Sequence, residues 1–259
     1  MLSKFPQYYN DCNTVEEKYC YLWKFAEIAY SEPEEIDLLI FAQEANRVKM
    51  LANEVDYSFS VLYDKWTTDS GLNYIIFSFR GTEGKNAWIG LTGNLNVFPL
   101  QEGTIPEGIY LAWAKLKHDI ERVLHVLPIN TKIAVTGHSR GFMLAGLCAR
   151  HIMKNMNRQC ELLGFGTPCI GNRAFAEEFK KLVKSTKSRA VRINLGNDIV
   201  ANNKLDDIYE AEHIGIEIKL PVPFWHSWLK IFKILDHRPK SYRKAIKKII
   251  KKMKYDFIY

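Results

Sequence analysis

Three residue types that could do chemistry together recur in order along this chain: a serine between glycines, an aspartate behind a strand, and a histidine ahead of a terminal helix. Ser139 lies in Thr136-Gly137-His138-Ser139-Arg140-Gly141, after the apolar run Lys132-Ile133-Ala134-Val135 and before a small-residue helix pattern. Gly-x-Ser-x-Gly between a strand and a helix has the form of a nucleophile elbow, a tight turn that lifts the hydroxyl clear of the backbone. Glycines at 137 and 141 leave room where a side chain would collide with the neighbouring strand or helix. The competing reading is an ordinary strand-to-helix turn with a capping serine.

A serine nucleophile needs a base to take its proton, an acid to orient that base, and N–H donors for the oxyanion. Asp198 lies in Arg192-Ile193-Asn194-Leu195-Gly196-Asn197-Asp198-Ile199-Val200, just after a predicted strand. That is the edge of a parallel sheet where sites assemble; a plain Gly-Asn-Asp turn is the alternative. His213, His226 and His237 follow it. A base must swing from a loop to reach both serine and aspartate, which favours His237 in Leu235-Asp236-His237-Arg238-Pro239. His213 begins a predicted strand and His226 lies in an aromatic run, so both read as structural or at most substrate-adjacent.

These residues need a scaffold, and the periodicities supply one. Apolar residues at Tyr19, Leu22, Trp23, Ala26 and Tyr30 share one helix face, predicting a helix over Glu16–Tyr30. Ser31-Glu32-Pro33 breaks it, and acidic Glu34, Glu35 and Asp37 suit the start of a second helix reaching Ala52. Strands are expected at Tyr57–Tyr63 and Asn73–Arg80. Residues 84–105 hold four glycines and three asparagines with little apolar periodicity, so they read as a long surface loop or lid. A helix is expected from Pro106 to Leu127, a strand over 132–137, a helix from Ser139 to Asn155, and a strand over Cys160–Gly166. A helix over Ala174–Lys184 and strands at Arg189–Leu195 and His213–Leu220 complete the pattern. Strands separated by helices predict an α/β fold: a mostly parallel central sheet with helices on both faces. With no internal repeat or low-complexity linker, residues 1–259 read as one domain, with N-terminal helices over 15–52 and a basic amphipathic helix over 241–254.

Charge excludes a uniformly basic nucleic-acid-binding domain. The net charge of +7 is concentrated in residues 238–254, which hold nine Lys or Arg and no acid. The remainder holds 27 basic and 29 acidic groups, so the body is near neutral. Five scattered cysteines with no Cys-x-x-Cys spacing give no zinc pattern and read as free thiols. The first residues lack the apolar core of a signal peptide, and no apolar stretch is long enough to span a bilayer, so a cytoplasmic location is expected.

The motifs together resemble the class 3 lipases, the family of fungal triacylglycerol lipases and related acyl hydrolases. Phe79-Arg80-Gly81-Thr82 resembles the family's oxyanion segment and Trp88-Ile89 the start of its lid. Residues 136–141 resemble its elbow. Phe165-Gly166-Thr167-Pro168 with Gly171-Asn172 resembles its Phe-Gly-x-Pro-x-x-Gly-Asn segment. Asn197-Asp198-Ile199-Val200 resembles its acid segment, and His237 with Tyr242 its histidine segment. The resemblance spans about residues 57–245 and implies an α/β-hydrolase. Ser139 would be the nucleophile, His237 the base and then acid, and Asp198 its orienting carboxylate. The backbone N–H of Arg140 and the N–H and hydroxyl of Thr82 would receive the oxyanion. The reaction implied is carboxylic ester hydrolysis through an acyl-serine, on a lipid or other acyl ester, without metal or organic cofactor. His138 would be structural. Departures from the family pattern are Phe142 for a second glycine after the elbow, Arg140 for an uncharged residue, Pro106-Glu107-Gly108 where a histidine often stands two residues before the glycine, and Gly90 for an acid after the lid tryptophan. Phe142 and Arg140 also admit another class of function, a weakly catalytic hydrolase-like module that binds lipid or protein.

In the tail, Tyr242, Ala245, Ile246, Ile249, Ile250 and Met253 share one helical face, with lysines on the others. Such a helix lies on an anionic membrane surface or docks on the domain with a solvated lysine face; a nucleic-acid tail is a third, weaker reading, since base-reading groups are few. The aromatic run Phe224-Trp225-His226-Ser227-Trp228 ahead of His237 reads as core, with a lipid-facing wall as the alternative.

Overall fold

In the computed structural model the strand-like and helix-like periods resolve into one seven-stranded sheet with helices on both sides. The structure describes residues 15–30, 49–54, 59–67, 71, 73–81, 96–202, 210–222 and 234–256. Helix α1 (Val15–Ile28) precedes strands β1 (Lys49–Glu54), β2 (Phe59–Thr67) and β3 (Asn73–Phe79). A hairpin of β4 (Val97–Pro99) and β5 (Thr104–Pro106) leads into α2 (Glu107–His125). Then come β6 (Lys132–His138), α3 (Arg140–Asn155), β7 (Glu161–Phe165), β8 (Gly171–Asn172) and α4 (Arg173–Ser185). The chain continues through β9 (Arg189–Leu195), the short α5 (Ile199–Asn202), β10 (Ala211–Glu212), β11 (Ile216–Leu220) and α6 (Pro239–Asp256).

The sheet order is β1-β2-β3-β6-β7-β9-β11. β1, β2 and β3 pair antiparallel; β3, β6, β7, β9 and β11 run parallel. Because successive side chains on a strand point to opposite faces, each parallel strand feeds two cores. Ile75, Phe77, Ile133, Val135 and Leu162 pack with α2, α3 and α4. Ile76, Ala134, Leu163, Phe165 and Ile193 pack with α1 and α6. Burial on both faces explains the apolar stretch Ile133–Val135 in β6, whereas β9 buries Arg192 and Asn194 among its apolar residues.

Register brings the elbow and its supports to one edge. Phe79 pairs with Gly137, Gly137 with Gly164, His138 with Phe165, and Phe165 with Ile193. A Cβ on Gly141 would lie 2.2 Å from the Phe79 carbonyl oxygen, so the start of α3 can sit against β3 only without a side chain there.

Three expectations change. The second helix does not reach Ala52: Lys49–Glu54 form strand β1, where pairing with the open edge of β2 overrides local helix propensity. The rest of that predicted helix, at 34–48, lies outside the described residues. The loop expected over 84–105 ends in structure, since Val97–Pro99 pairs with Thr104–Pro106 across a turn that uses Gly103 at φ +90°. The strand expected from His213 starts at Ile216, because Gly215 at φ +75° breaks the extended run and Ala211–Glu212 pairs with β8 instead.

Candidate active site

The site is built where β6 turns into α3. Ser139 has φ 57° and ψ −130°, a positive φ rare for a residue with a side chain. Gly137 tolerates that turn because a Cβ on it would lie 2.5 Å from the Gly141 backbone. The Ser139 N–H donates to the Phe165 carbonyl at 2.9 Å, tying the elbow to β7.

Three side chains separated along the chain meet here. The Ser139 hydroxyl lies 2.8 Å from His237 Nε2. His237 Nδ1 lies 2.9 Å from each Asp198 carboxylate oxygen. With Nδ1–H donating to the carboxylate, Nε2 is the free acceptor facing the serine proton, the geometry needed for general-base catalysis. All three are buried: Ser139 is 4% exposed, His237 5% and Asp198 0%.

Asp198 sits at the turn after β9, where the Val200 and Ala201 N–H groups at the start of α5 donate to Oδ1 at 2.8 and 3.2 Å. Tyr242 of α6 donates its hydroxyl to Oδ2 at 2.6 Å and accepts the Leu195 N–H at 3.0 Å. Burial by itself raises a carboxyl, but the charge and hydrogen bond of His237 and the bonds from Tyr242 and Ala201 hold Asp198 below its ordinary range. Burial and the neighbouring Asp198 carboxylate push the Tyr242 hydroxyl well up, so it stays a proton donor.

Sequence reasoning made His138 structural, with its side chain turned away from the nucleophile. Its ring packs against His237, with centroids 4.9 Å apart at 28°. Its Nε2 lies 2.9 Å from the His237 carbonyl, which can only accept, so Nε2 carries the proton and Nδ1 accepts from the Tyr30 hydroxyl at 2.6 Å. Trp23 closes the layer, edge-on to Phe165 and His138 and stacked on Tyr242. Gly166, at φ +56°, lies under these groups: a Cβ there would be 3.0 Å from Asp198 Oδ2 and 3.2 Å from His237 Cε1. Helix α1 and the turn after it thus support the site through Trp23 and Tyr30. The helical spacing marked one apolar face, but nothing local in the sequence marks a partnership 108 residues away.

Burial, and then the charge of His237, lower the His138 pKa to about 3, so it is held neutral. Its unfolded value is about 6.5. The unfolded chain therefore binds the extra proton between those values, and folding stability falls as pH drops from about 6.5 toward 3. The slope from this group approaches about 1.4 kcal/mol per pH unit. Chemical unfolding at pH 7 and pH 5 should show His138→Gln losing about 1–2 kcal/mol less than wild type over that interval. Equal losses in the two proteins would mean His138 is not held neutral by the fold.

Of the other sequence-predicted residues, Arg140 opens α3 beside Ser139, half-buried, and burial lowers its guanidinium pKa. Thr82, Trp88, Ile89 and His226 lie outside the described residues, as does the aromatic run through residue 233. His213 stands in the β10–β11 connection beside Glu217 and does not join Ser139. Phe142 is 0% exposed and packs in the core; a Cβ on Gly164 of β7 would lie 2.0 Å from its ring. The bulky residue after the elbow therefore fills the space above a glycine in the sheet. Tyr242 belongs to the segment that resembles the family's histidine segment, but its bond to Asp198 is visible only in three dimensions.

Among the described residues no group of His, Cys, Asp and Glu is arranged to hold a metal ion. Cys20, Cys148, Cys160 and Cys169 are buried free thiols. No described helix is long and apolar enough to cross a membrane.

Residues 76–207 match the family described as Lipase (class 3). A Caenorhabditis elegans protein named Lipase ZK262.3 is 42% identical over 57 residues, 21% of this chain and 16% of that protein. The Rhizomucor miehei triacylglyceride lipase structure superposes with a TM-score of 0.64 at 21% identity, covering 80% of this chain and 81% of that one. Lipase II from Rhizopus niveus gives 0.59 at 17%, covering 78% and 79%.

Proposed function

Because this chain belongs to the class 3 lipase family, we propose that it is a serine-dependent carboxylic ester hydrolase acting on lipid esters, with Ser139, His237 and Asp198 as its triad. The observation that carries this reading is the hydrogen-bonded line from Ser139 through His237 to Asp198. In the reaction the Ser139 oxygen attacks the ester carbonyl carbon while its proton moves to His237 Nε2. The tetrahedral oxyanion collapses, the C–O bond to the alcohol breaks, and His237 returns the proton to the leaving oxygen. Water then repeats the sequence on the acyl-serine, releasing the carboxylic acid. Asp198 holds Nδ1–H and stabilises the imidazolium. The Arg140 N–H, at the positive end of α3, and Thr82 would receive the oxyanion.

No cofactor is needed by this scheme. One sheet shared by both cores supports a single-domain reading. Buried free thiols support a reducing, intracellular setting. A weakly catalytic binding module gains nothing from Phe142, which is consumed by core packing.

The test is covalent. A fluorophosphonate ester should label one residue of the wild type, Ser139 by peptide mass, and leave Ser139→Ala unlabelled. A label on another serine, or none on folded protein, overturns the assignment.

The partner surface proposed is an anionic membrane. Tyr242 and Ile246 are buried against α1, so that part of the apolar face is already occupied, while Lys240, Arg243, Lys244, Lys247 and Lys248 stand exposed. Attraction is then electrostatic, about 1 kcal/mol per basic residue near the surface. Lys244→Glu/Lys247→Glu/Lys248→Glu should cut sedimentation with phosphatidylserine vesicles at least tenfold and leave cleavage of a water-dissolved ester unchanged. Undiminished vesicle binding would remove α6 as the contact.

A further inference from the structure

A second concave site lies at the end of the sheet away from Ser139. A cavity of about 560 Å³ is walled by the start of α1, the start of β3 and the loops feeding β6, β7 and β9. It is about 20 Å from the elbow, the length of β6, so what binds there is not the ester being cleaved.

Its lining is cationic in a protein whose charge is otherwise balanced outside the tail. Lys18, Lys132, Arg158, Lys187 and Arg189 line it, with Glu161 as its one carboxylate. Lys132, Lys187 and Arg189 are exposed. Arg189 is held in place, donating to the Tyr19 hydroxyl at 2.8 Å with its guanidinium over the Tyr19 ring. Arg158 forms the floor at 6% exposure.

The helices α2, α3 and α4 end at this side, and helix C-termini disfavour anions. Arg158 answers the first of them, donating to the carbonyls of Leu124, Pro128 and Thr131. Its Nε makes no hydrogen bond within the protein, nor does the buried Thr131 hydroxyl beside it. Buried donors of this kind normally have partners. The exposed ammonium groups of Lys132 and Lys187 and the Arg189 guanidinium, set over the buried Arg158 charge, match the oxygens of a dianion. The volume also leaves room for a body larger than the anion.

We propose that this cleft binds a phosphate group, carried by a small molecule or by a lipid headgroup, at a site separate from ester cleavage. The proposal does not depend on the hydrolase reading.

The test uses the full chain and the variant Lys132→Glu/Lys187→Asn. Both lysines are exposed, and asparagine suits the left-handed backbone at Lys187, φ 55°. The variant should match wild type in unfolding midpoint and in hydrolysis of a water-dissolved ester. One arm titrates inorganic phosphate calorimetrically at fixed ionic strength; the other sediments the proteins with phosphatidic acid vesicles, using the α6 triple variant as background. Saturable phosphate binding weakened at least tenfold in the double variant supports the site and a small-molecule source. Binding only to vesicles, with the same loss, supports it and a lipid source. No saturable binding in either arm, or binding that the double variant leaves unchanged, overturns it.

Discussion

Ser139→Ala should lower kcat for a p-nitrophenyl ester by roughly 10⁶-fold, His237→Ala should cost about the same, and the double variant should be no worse than either alone. The reason is geometric. His237 Nε2 lies 2.8 Å from the Ser139 hydroxyl, so in the proposed mechanism removing either residue removes the same proton-transfer step. What survives is the rate supplied by the oxyanion donors and by substrate binding. The measurement is steady-state kinetics on the three purified variants, with unfolding midpoints to show that each is folded. Losses that multiply in the double variant would mean that the two residues act independently. Retained activity in His237→Ala with loss in His213→Ala would mean that the base is His213.

Asp198→Asn should cost about 10⁴-fold in kcat with little change in backbone geometry. The carboxylate accepts His237 Nδ1–H on one side and the Tyr242 hydroxyl and two α5 N–H groups on the others. An amide has one acceptor oxygen and one donor nitrogen. Its N–H₂ facing Nδ1 would push the imidazole to the tautomer with the proton on Nε2, leaving no acceptor for the serine. Because the Asp198 pKa is depressed, its contribution to stability is complete above the unfolded value of about 3.9 and is lost only as pH falls through the lower folded value. Activity lost on acidification at pH 5 therefore has another cause than Asp198 protonation. A pH-rate profile of wild type and Tyr242→Phe, which removes one bond to Oδ2, checks this. If the tyrosine hydroxyl helps hold the carboxylate ionised, the variant loses activity at a higher pH than wild type. Superimposable acid limbs would assign Tyr242 to packing alone.

Particular elements show why some of the scaffold was legible and some was not. The sequence places β9 at its observed bounds, Arg189–Leu195, although Arg192 and Asn194 interrupt its buried apolar residues Ala190, Val191, Ile193 and Leu195. The helix expected from Pro106 to Leu127 forms as α2, whose buried residues Ile109, Ala112, Trp113, Leu116, Ile120 and Leu124 follow a helical spacing. β1 was misread as the end of a helix, because an edge strand that owes its shape to pairing with β2 carries little period of its own. The β4–β5 hairpin, three residues a side, is too short to carry a period and was absorbed into a loop.

Local rules of turns, periods and strand ends make the elbow, the order of serine, acid and histidine, and the edge of the sheet where they gather legible from the chain. The sequence also picked His237 over His213, because only a loop residue can swing to two partners. Tertiary structure alone decided what makes those residues a site. Tyr242 satisfies Asp198, while Tyr30 and His138 anchor the His237 backbone, and Gly166 leaves room beneath them. It also turned Phe142 from a question about the pocket into a piece of core against Gly164, and gathered the cations of four separate segments into one cleft. These are contacts between residues far apart in the chain, set by sheet register and by how helices pack on it, and no window of local sequence encodes them.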